Sequence, residues 1–188
     1  MGSADRIRIA AGITVAERAK RPVAIVVSAM SKVTDLLLDT LRHAEGGDRA
    51  TVDKNVAGLR ERHETTARDL LAEPAAVVAG IGELVGEFDR IAKGILLLGD
   101  RPPRAVDEAV AIGERLTALM IAAHLTESGS PAEAVNAARV VVTDSVFGNA
   151  TPVMDLTRAR AAEVVAPLLA AGKIVVMTGF NGATADGK

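Results

Sequence analysis

The run Val23-Ala24-Ile25-Val26-Val27-Ser28-Ala29-Met30-Ser31-Lys32-Val33-Thr34-Asp35 constrains this chain more than any other segment. Five consecutive apolar residues, four of them β-branched, suit a strand covered on both faces. The Ser and Thr hydroxyls that follow then lie at the strand's carboxyl end and at the mouth of a helix, where open α/β sheets bind ligands. An ordinary βα turn carries the same pattern, and the run alone does not separate the two readings. A second run, Lys173-Ile174-Val175-Val176-Met177-Thr178-Gly179-Phe180, repeats the design of apolar strand, small polar residue and glycine. Two such strands separated by helices predict an α/β fold with a parallel or mixed sheet and helices on both faces.

Helical spacing fills the stretch between these runs. Ala4 to Arg18 reads as an amphipathic helix with Ile7, Ala11, Ile13 and Val15 inward, closed by Lys20-Arg21-Pro22. A helix from Lys32 to about Glu45 carries Leu36, Leu37, Leu38 and Leu41 and stops at Gly46-Gly47-Asp48, with Lys32 read as a solvent-facing residue at its start. Thr51–Leu71 and Ala75–Leu98 repeat apolar residues at intervals of three and four, which predicts an antiparallel helical hairpin over about 51–98. Arg104–Leu125 is a long helix interrupted by Gly113. Glycine inside a helix costs about 1 kcal/mol against alanine, so close approach of another backbone or of a ligand is expected there. Glu114 and Arg115 beside it form either part of a site or a surface ion pair. Val140–Asp144 reads as a short strand, with helix over Val135–Val140 as the alternative, and Thr143, Asp144, Gly148 and Asn149 mark a loop around Phe147. Asp155 or Thr157 is expected to cap the last helix, which places Val164, Val165, Leu168 and Leu169 inward and ends at Gly172.

Composition narrows the function classes. In 188 residues, 49% hydrophobic content supports a real core. The 22 basic and 24 acidic residues give a net charge of -2 without aromatic-basic interleaving, so no nucleic-acid partner is expected. There is no cysteine, hence no disulfide, thiol nucleophile or Cys-ligated metal, and His43, His63 and His124 lack metal-site spacing. All three are expected on solvated helix faces or at helix ends, and no metal ligand is assigned. No apolar run approaches a membrane span of about 18 residues and the first residues do not resemble a signal peptide, so the default is a cytoplasmic protein without a membrane partner.

Four motifs in order carry a family resemblance: Ser28-Ala29-Met30-Ser31-Lys32-Val33-Thr34-Asp35, then Gly113-Glu114-Arg115-Leu116-Thr117, then Thr143-Asp144 with Phe147-Gly148-Asn149-Ala150, and finally Thr178-Gly179-Phe180-Asn181-Gly182. Together they resemble aspartate kinase, a member of the amino acid kinase family. The resemblance implies a three-layer αβα fold, of which residues 1–188 form a partial domain holding the amino acid, with the helical hairpin as an insertion. It implies ATP-dependent phosphorylation of L-aspartate to 4-phospho-L-aspartate, with ATP and Mg2+ as cofactors in the complete enzyme, at the head of lysine, threonine, methionine and diaminopimelate synthesis, and a possible homo-oligomer. It assigns Glu114 to the substrate ammonium, Ser28 and Thr34 to the acceptor end, Phe180 to the wall near the strand end, and Arg115 to a supporting ion pair that orients Glu114. The family's Lys-Phe-Gly-Gly-Thr-Ser opening and its Thr-Thr-Thr-Leu-Gly-Arg-Gly-Gly-Ser-Asp continuation do not occur here. The chain is therefore expected to be a fragment inactive alone, with no catalytic residue and no nucleotide-binding residue assigned. Another amino acid kinase, for glutamate or acetylglutamate, and a non-catalytic helix-rich interaction module are the competing readings.

Overall fold

The two apolar runs lie side by side and organise the rest. In the computed structural model, which describes residues 2–188, β1 (Ala24–Val27) pairs in parallel with a late strand at Ile174–Thr178. Between them the chain forms α2 (Val33–Glu45), α3 (Arg49–Leu70), α4 (Ala75–Leu98), α5 (Pro103–Glu127), β2 (Ala132–Val135), a 3-10 turn at Ala137–Arg139, β3 (Val142–Thr143) and α6 (Met154–Ala170). The late strand is β4; α1 (Ala4–Arg18) precedes β1, and β5 (Ala183–Thr184) follows β4. The main sheet has the order β1-β4-β2, all parallel, with Val176 of β4 opposite both Ile25 and Ala134. Parallel neighbours need crossovers, supplied by helices on both faces.

Alternation along the strands splits the sheet into its two faces. Ile25, Val27, Ile174 and Val176 face the large core built with α1 to α5, whose fully buried members include Ile7, Leu37, Leu59, Phe88, Ile112 and Met120. Val135, Val175 and Met177 face the opposite way and are covered by Val164, Val165, Leu168 and Leu169 of α6. The result is the three-layer arrangement expected from the sequence. One expectation fails at its edge. β1 is not covered on both faces: Val26 is 62% exposed and Ala24 is exposed, because α6 packs over β2 and β4 and does not reach β1.

Other departures have local causes. The sheet's third strand is Ala132–Val135 rather than Val140–Asp144; of the latter only Val142–Thr143 is strand, in a separate parallel ladder with β5. Ala137–Arg139 is a 3-10 turn, and Val135 lies within β2. α1 buries Ala4, Ile7, Ala11 and Thr14, leaving Ile13 and Val15 exposed. Neither Asp155 nor Thr157 caps α6; the Thr157 hydroxyl instead bonds the backbone of Val142, accepting its N–H at 3.0 Å. α5 is the one described helix long and apolar enough to cross a membrane, and its apolar positions are occupied in the core against α2, α4 and the sheet. At its far end Glu127 accepts the N–H groups of Ala72 and Glu73 at 3.0 and 2.9 Å, which ties the α3–α4 turn to α5.

The histidines do not share one environment. His43, between Asp39 and Asp48, and His124 are half-buried, but His63 is fully buried on the inner face of α3. Its Nδ1 donates to the Leu59 carbonyl at 2.7 Å, and its Nε2 has no partner among the described residues. Burial holds the His63 pKa below its ordinary 6.5, outweighing the Leu59 bond, and the Arg62 charge pushes the same way. The unfolded chain therefore takes up a proton first as pH falls, and folding stability drops as pH goes from about 6.5 toward the lowered value. His124, also held low by burial, adds in the same direction. Denaturant melts from neutral to mildly acidic pH are expected to show this loss, with a shallower slope in His63→Met.

Candidate functional site

The carboxyl ends of β1 and β4 lie under the point where α5 passes the start of α2. Gly113 makes that passage possible: a Cβ there would sit 2.9 Å from Ala29 Cβ, 3.1 Å from Val33 Cγ1 and 3.2 Å from Leu37 Cδ1. The close approach inferred from an interior glycine is thus to the loop and first turns of α2. It also fixes the next residue. Glu114 is buried, 9% exposed, and projects toward the end of β4, its Oε1 3.4 Å from where a Cβ on Gly179 would stand. Its Oε2 is buried without a hydrogen-bond partner among the described residues. Burial pushes the Glu114 carboxyl up from its ordinary 4.5, while the Gly179 amide, which also donates to Val27 O at 3.0 Å, pulls it back.

Around this carboxylate the structure collects most of the residues singled out in the sequence. Ser28 is exposed directly after β1, beside Gly179, which is joined to Val27. Thr34 is half-buried in the first turn of α2. Phe180 follows Gly179 and stands fully exposed, at the rim of the strand ends. Lys32 is exposed at the helix start, in the left-handed region with φ 64°, and provides no side-chain cap; the Val33 N–H is taken by the Met30 carbonyl at 2.9 Å, and the rest of the positive end of α2 lies beside the strand ends without a side-chain cap.

Arg115 behaves differently from the expectation. It makes a bidentate pair with Glu87 of α4, at 2.5 and 3.2 Å, and so holds α4 to α5 rather than orienting Glu114. A polar network at the ends of β2 and β4 went unread in the sequence. Thr178 Oγ1 accepts the Ala137 N–H at 2.8 Å and donates to Asn181 Oδ1 at 3.0 Å; Asn181 Nδ2 donates to Asn136 Oδ1 at 3.0 Å; Asn136 Oδ1 also accepts the Ala138 N–H at 3.1 Å. The available signal was an asparagine just past each strand. The Asp144–Asn149 loop is held separately: Asp144 accepts the Val146 and Thr151 amides, and Asp107 of α5 accepts Gly148 N–H at 2.6 Å.

The arrangement can hold a small zwitterion, with an ammonium on the buried carboxylate and an anionic group near the hydroxyls and the start of α2. No group of three His, Asp or Glu side chains converges among the described residues, so they form no all-protein metal cage.

Comparison with known proteins shows the family and the fold. The profile of the Amino acid kinase family matches residues 1–188, and the chain belongs to that family. Its likeness there is to aspartokinases. It is 31% identical over 188 residues to the aspartokinase of Chlamydia trachomatis, covering 100% of this chain and 39% of that protein. It is 31% identical over 144 residues to bifunctional aspartokinase/homoserine dehydrogenase 1, chloroplastic, of Arabidopsis thaliana, covering 76% of this chain and 16% of that protein. The fold matches E. coli aspartokinase III in complex with aspartate and ADP, with a TM-score of 0.89, 24% identity, and coverage of 100% of this chain and 40% of that one. The chain thus spans about two fifths of the length of the aspartokinase it matches end to end.

The Gly113 contact yields a direct test. Gly113→Ala is expected to destabilise the chain by about 1–3 kcal/mol, because the added methyl has to displace packed side chains of α2. Gly94→Ala, in the interior of α4 with open space around it, is expected to stabilise by about 0.5–1 kcal/mol. Paired denaturant melts read both signs.

Proposed function

We propose that this chain forms the amino-acid-binding part of an aspartate kinase, with the α3–α4 hairpin as a helical insertion in that domain, and that the parent protein transfers phosphate from ATP to the side-chain carboxylate of L-aspartate. The observation that carries this reading is the buried, unpartnered Oε2 of Glu114 at the carboxyl ends of β1 and β4. A buried carboxylate without a partner is costly, and a substrate ammonium satisfies it. Aspartate binding by the E. coli enzyme of the same fold supports the choice of substrate.

The chemistry asks little of the protein beyond positioning. The acceptor carboxylate is already ionised at neutral pH, so no general base is needed. Glu114 would hold the ammonium, and Ser28, Thr34 and the uncapped start of α2 would hold the acceptor end, with Phe180 closing the rim. ATP would supply the phosphoryl group, while the residues of this chain would bind and orient the acceptor. On this reading the 188 residues bind the acceptor and do not turn over alone.

Calorimetry of the chain with L-aspartate tests the proposal. Glu114→Gln is expected to weaken binding at least about tenfold, the scale of losing a desolvated charge-assisted contact. Because the carboxylate form is the binding form and its pKa is raised, wild-type affinity should climb as pH rises through and above the ordinary 4.5. The unliganded chain should show the opposite trend in stability. The folded state holds the Glu114 proton more tightly, so this contribution is present at low pH and disappears as pH rises through the raised value; Glu114→Gln should melt no lower than wild type at neutral pH. Binding of L-glutamate with no detectable binding of L-aspartate would move the assignment to another amino acid kinase, and binding of neither would favour a non-catalytic module.

A further inference from the structure

We infer that Asn136, Asn181 and Thr178 are positioning residues, a hydrogen-bonded chain across the ends of β2 and β4 that holds the Gly179-Phe180 turn in place and so keeps Gly179 packed against the Glu114 carboxylate. The inference deepens the proposed amino-acid site and rests on that reading for its functional consequence.

The turn is one that the backbone does not adopt unaided. Phe180 has φ 38°, and the Asn181 N–H closes onto the Gly179 carbonyl only two residues back, at 2.6 Å. A three-residue turn around a non-glycine residue at positive φ is rare and strained, and persists where its surroundings over-determine it. Burial of the Phe180 ring does not supply that constraint, since it is fully exposed. The side chain of the next residue does. Asn181 reaches back to Thr178, which is 1% exposed at the end of β4, and across to Asn136, the first residue after β2. Both ends of the bridge are anchored in backbone, through Ala137 N–H on Thr178 and Ala138 N–H on Asn136. The turn is therefore clamped between two paired strands, and it sets Gly179 against the carboxylate, Glu114 Oε1 lying 3.4 Å from where a Gly179 Cβ would stand, with the Gly179 amide partly offsetting the burial of that carboxyl. Arg115 is engaged by Glu87, and Lys32 is exposed.

The test follows the titration of Glu114 in the intact 188-residue chain by its side-chain carboxyl 13C shift, assigned with Glu114→Gln. Removing either asparagine should release the turn and withdraw the Gly179 amide. Asn181→Ala and Asn136→Ala are each expected to raise the Glu114 midpoint by roughly 0.5 to 1 pH unit and to weaken L-aspartate binding at pH values where the wild-type carboxylate is ionised. Thr178→Ser, which keeps the hydroxyl, should titrate as wild type. Val165→Ala loosens the α6 face without touching the turn and should leave the midpoint unmoved. A wild-type midpoint in either asparagine variant, an equal shift in Val165→Ala, or loss of the folded helix signal in an asparagine variant would each overturn the inference, the last because the bridge would then hold the domain and not the turn. The titration needs no ligand, so a chain that fails to bind aspartate would refute the proposed function while still deciding this one.

Discussion

Ala29, Val33 and Leu37 approach the α5 backbone at Gly113 so closely that no side chain fits between, and the geometry of the whole carboxyl edge follows from that contact. It sets where the first turn of α2 stands above the sheet. It also sets which way residue 114 projects, because on a helix with 3.6 residues per turn each residue points about 100° further round than the one before, so a contact fixed at residue 113 fixes the bearing of the next. The direction here is into the space past β4, away from the apolar core. A polar group could not be tolerated one position earlier.

A carboxylate in that place is an unfinished structure. Among the described residues no cation pairs with it: the nearest arginine in sequence is bound elsewhere, and a single amide offsets only part of the burial. Evolution can finish such a site with a protein cation, which makes it structural, or leave it for a ligand cation, which makes it selective. The proposed function takes the second course, in which hydroxyls and helix-end amides would suffice for an acceptor that brings its own ionisation.

The sheet, its helices and the cluster at the strand ends were legible because they rest on local patterns: β-branched runs, period-3.6 stripes and a glycine where a helix should not have one. What escaped rests on distance or on context. Ala132-Glu133-Ala134-Val135 is composed of helix formers and becomes a strand through pairing with β4, where Lys173 meets Glu133 at 2.8 Å. Arg115 could not be paired from the sequence because Glu87 lies 28 residues away on a neighbouring helix. His63 follows Val52, Val56 and Leu59 on the buried stripe of α3, so the helical period places it inside although its residue type favours the surface. The Asn136–Asn181 bridge spans 45 residues, a separation that no single-sequence pattern encodes.

α5 ties distant parts of the domain to one another. Along its 25 residues, about 37 Å at 1.5 Å per residue, it carries Asp107 holding the loop at Gly148, Gly113 and Glu114 at the strand ends, and Glu127 holding the turn at Ala72 and Glu73. These attachments sit on one rigid rod and differ in bearing around it. A rotation of the rod cannot satisfy one while releasing another; it strains all of them together. Loop, site and hairpin base therefore share a single rotational setting, and any event that turns α5 at one end is registered at the other.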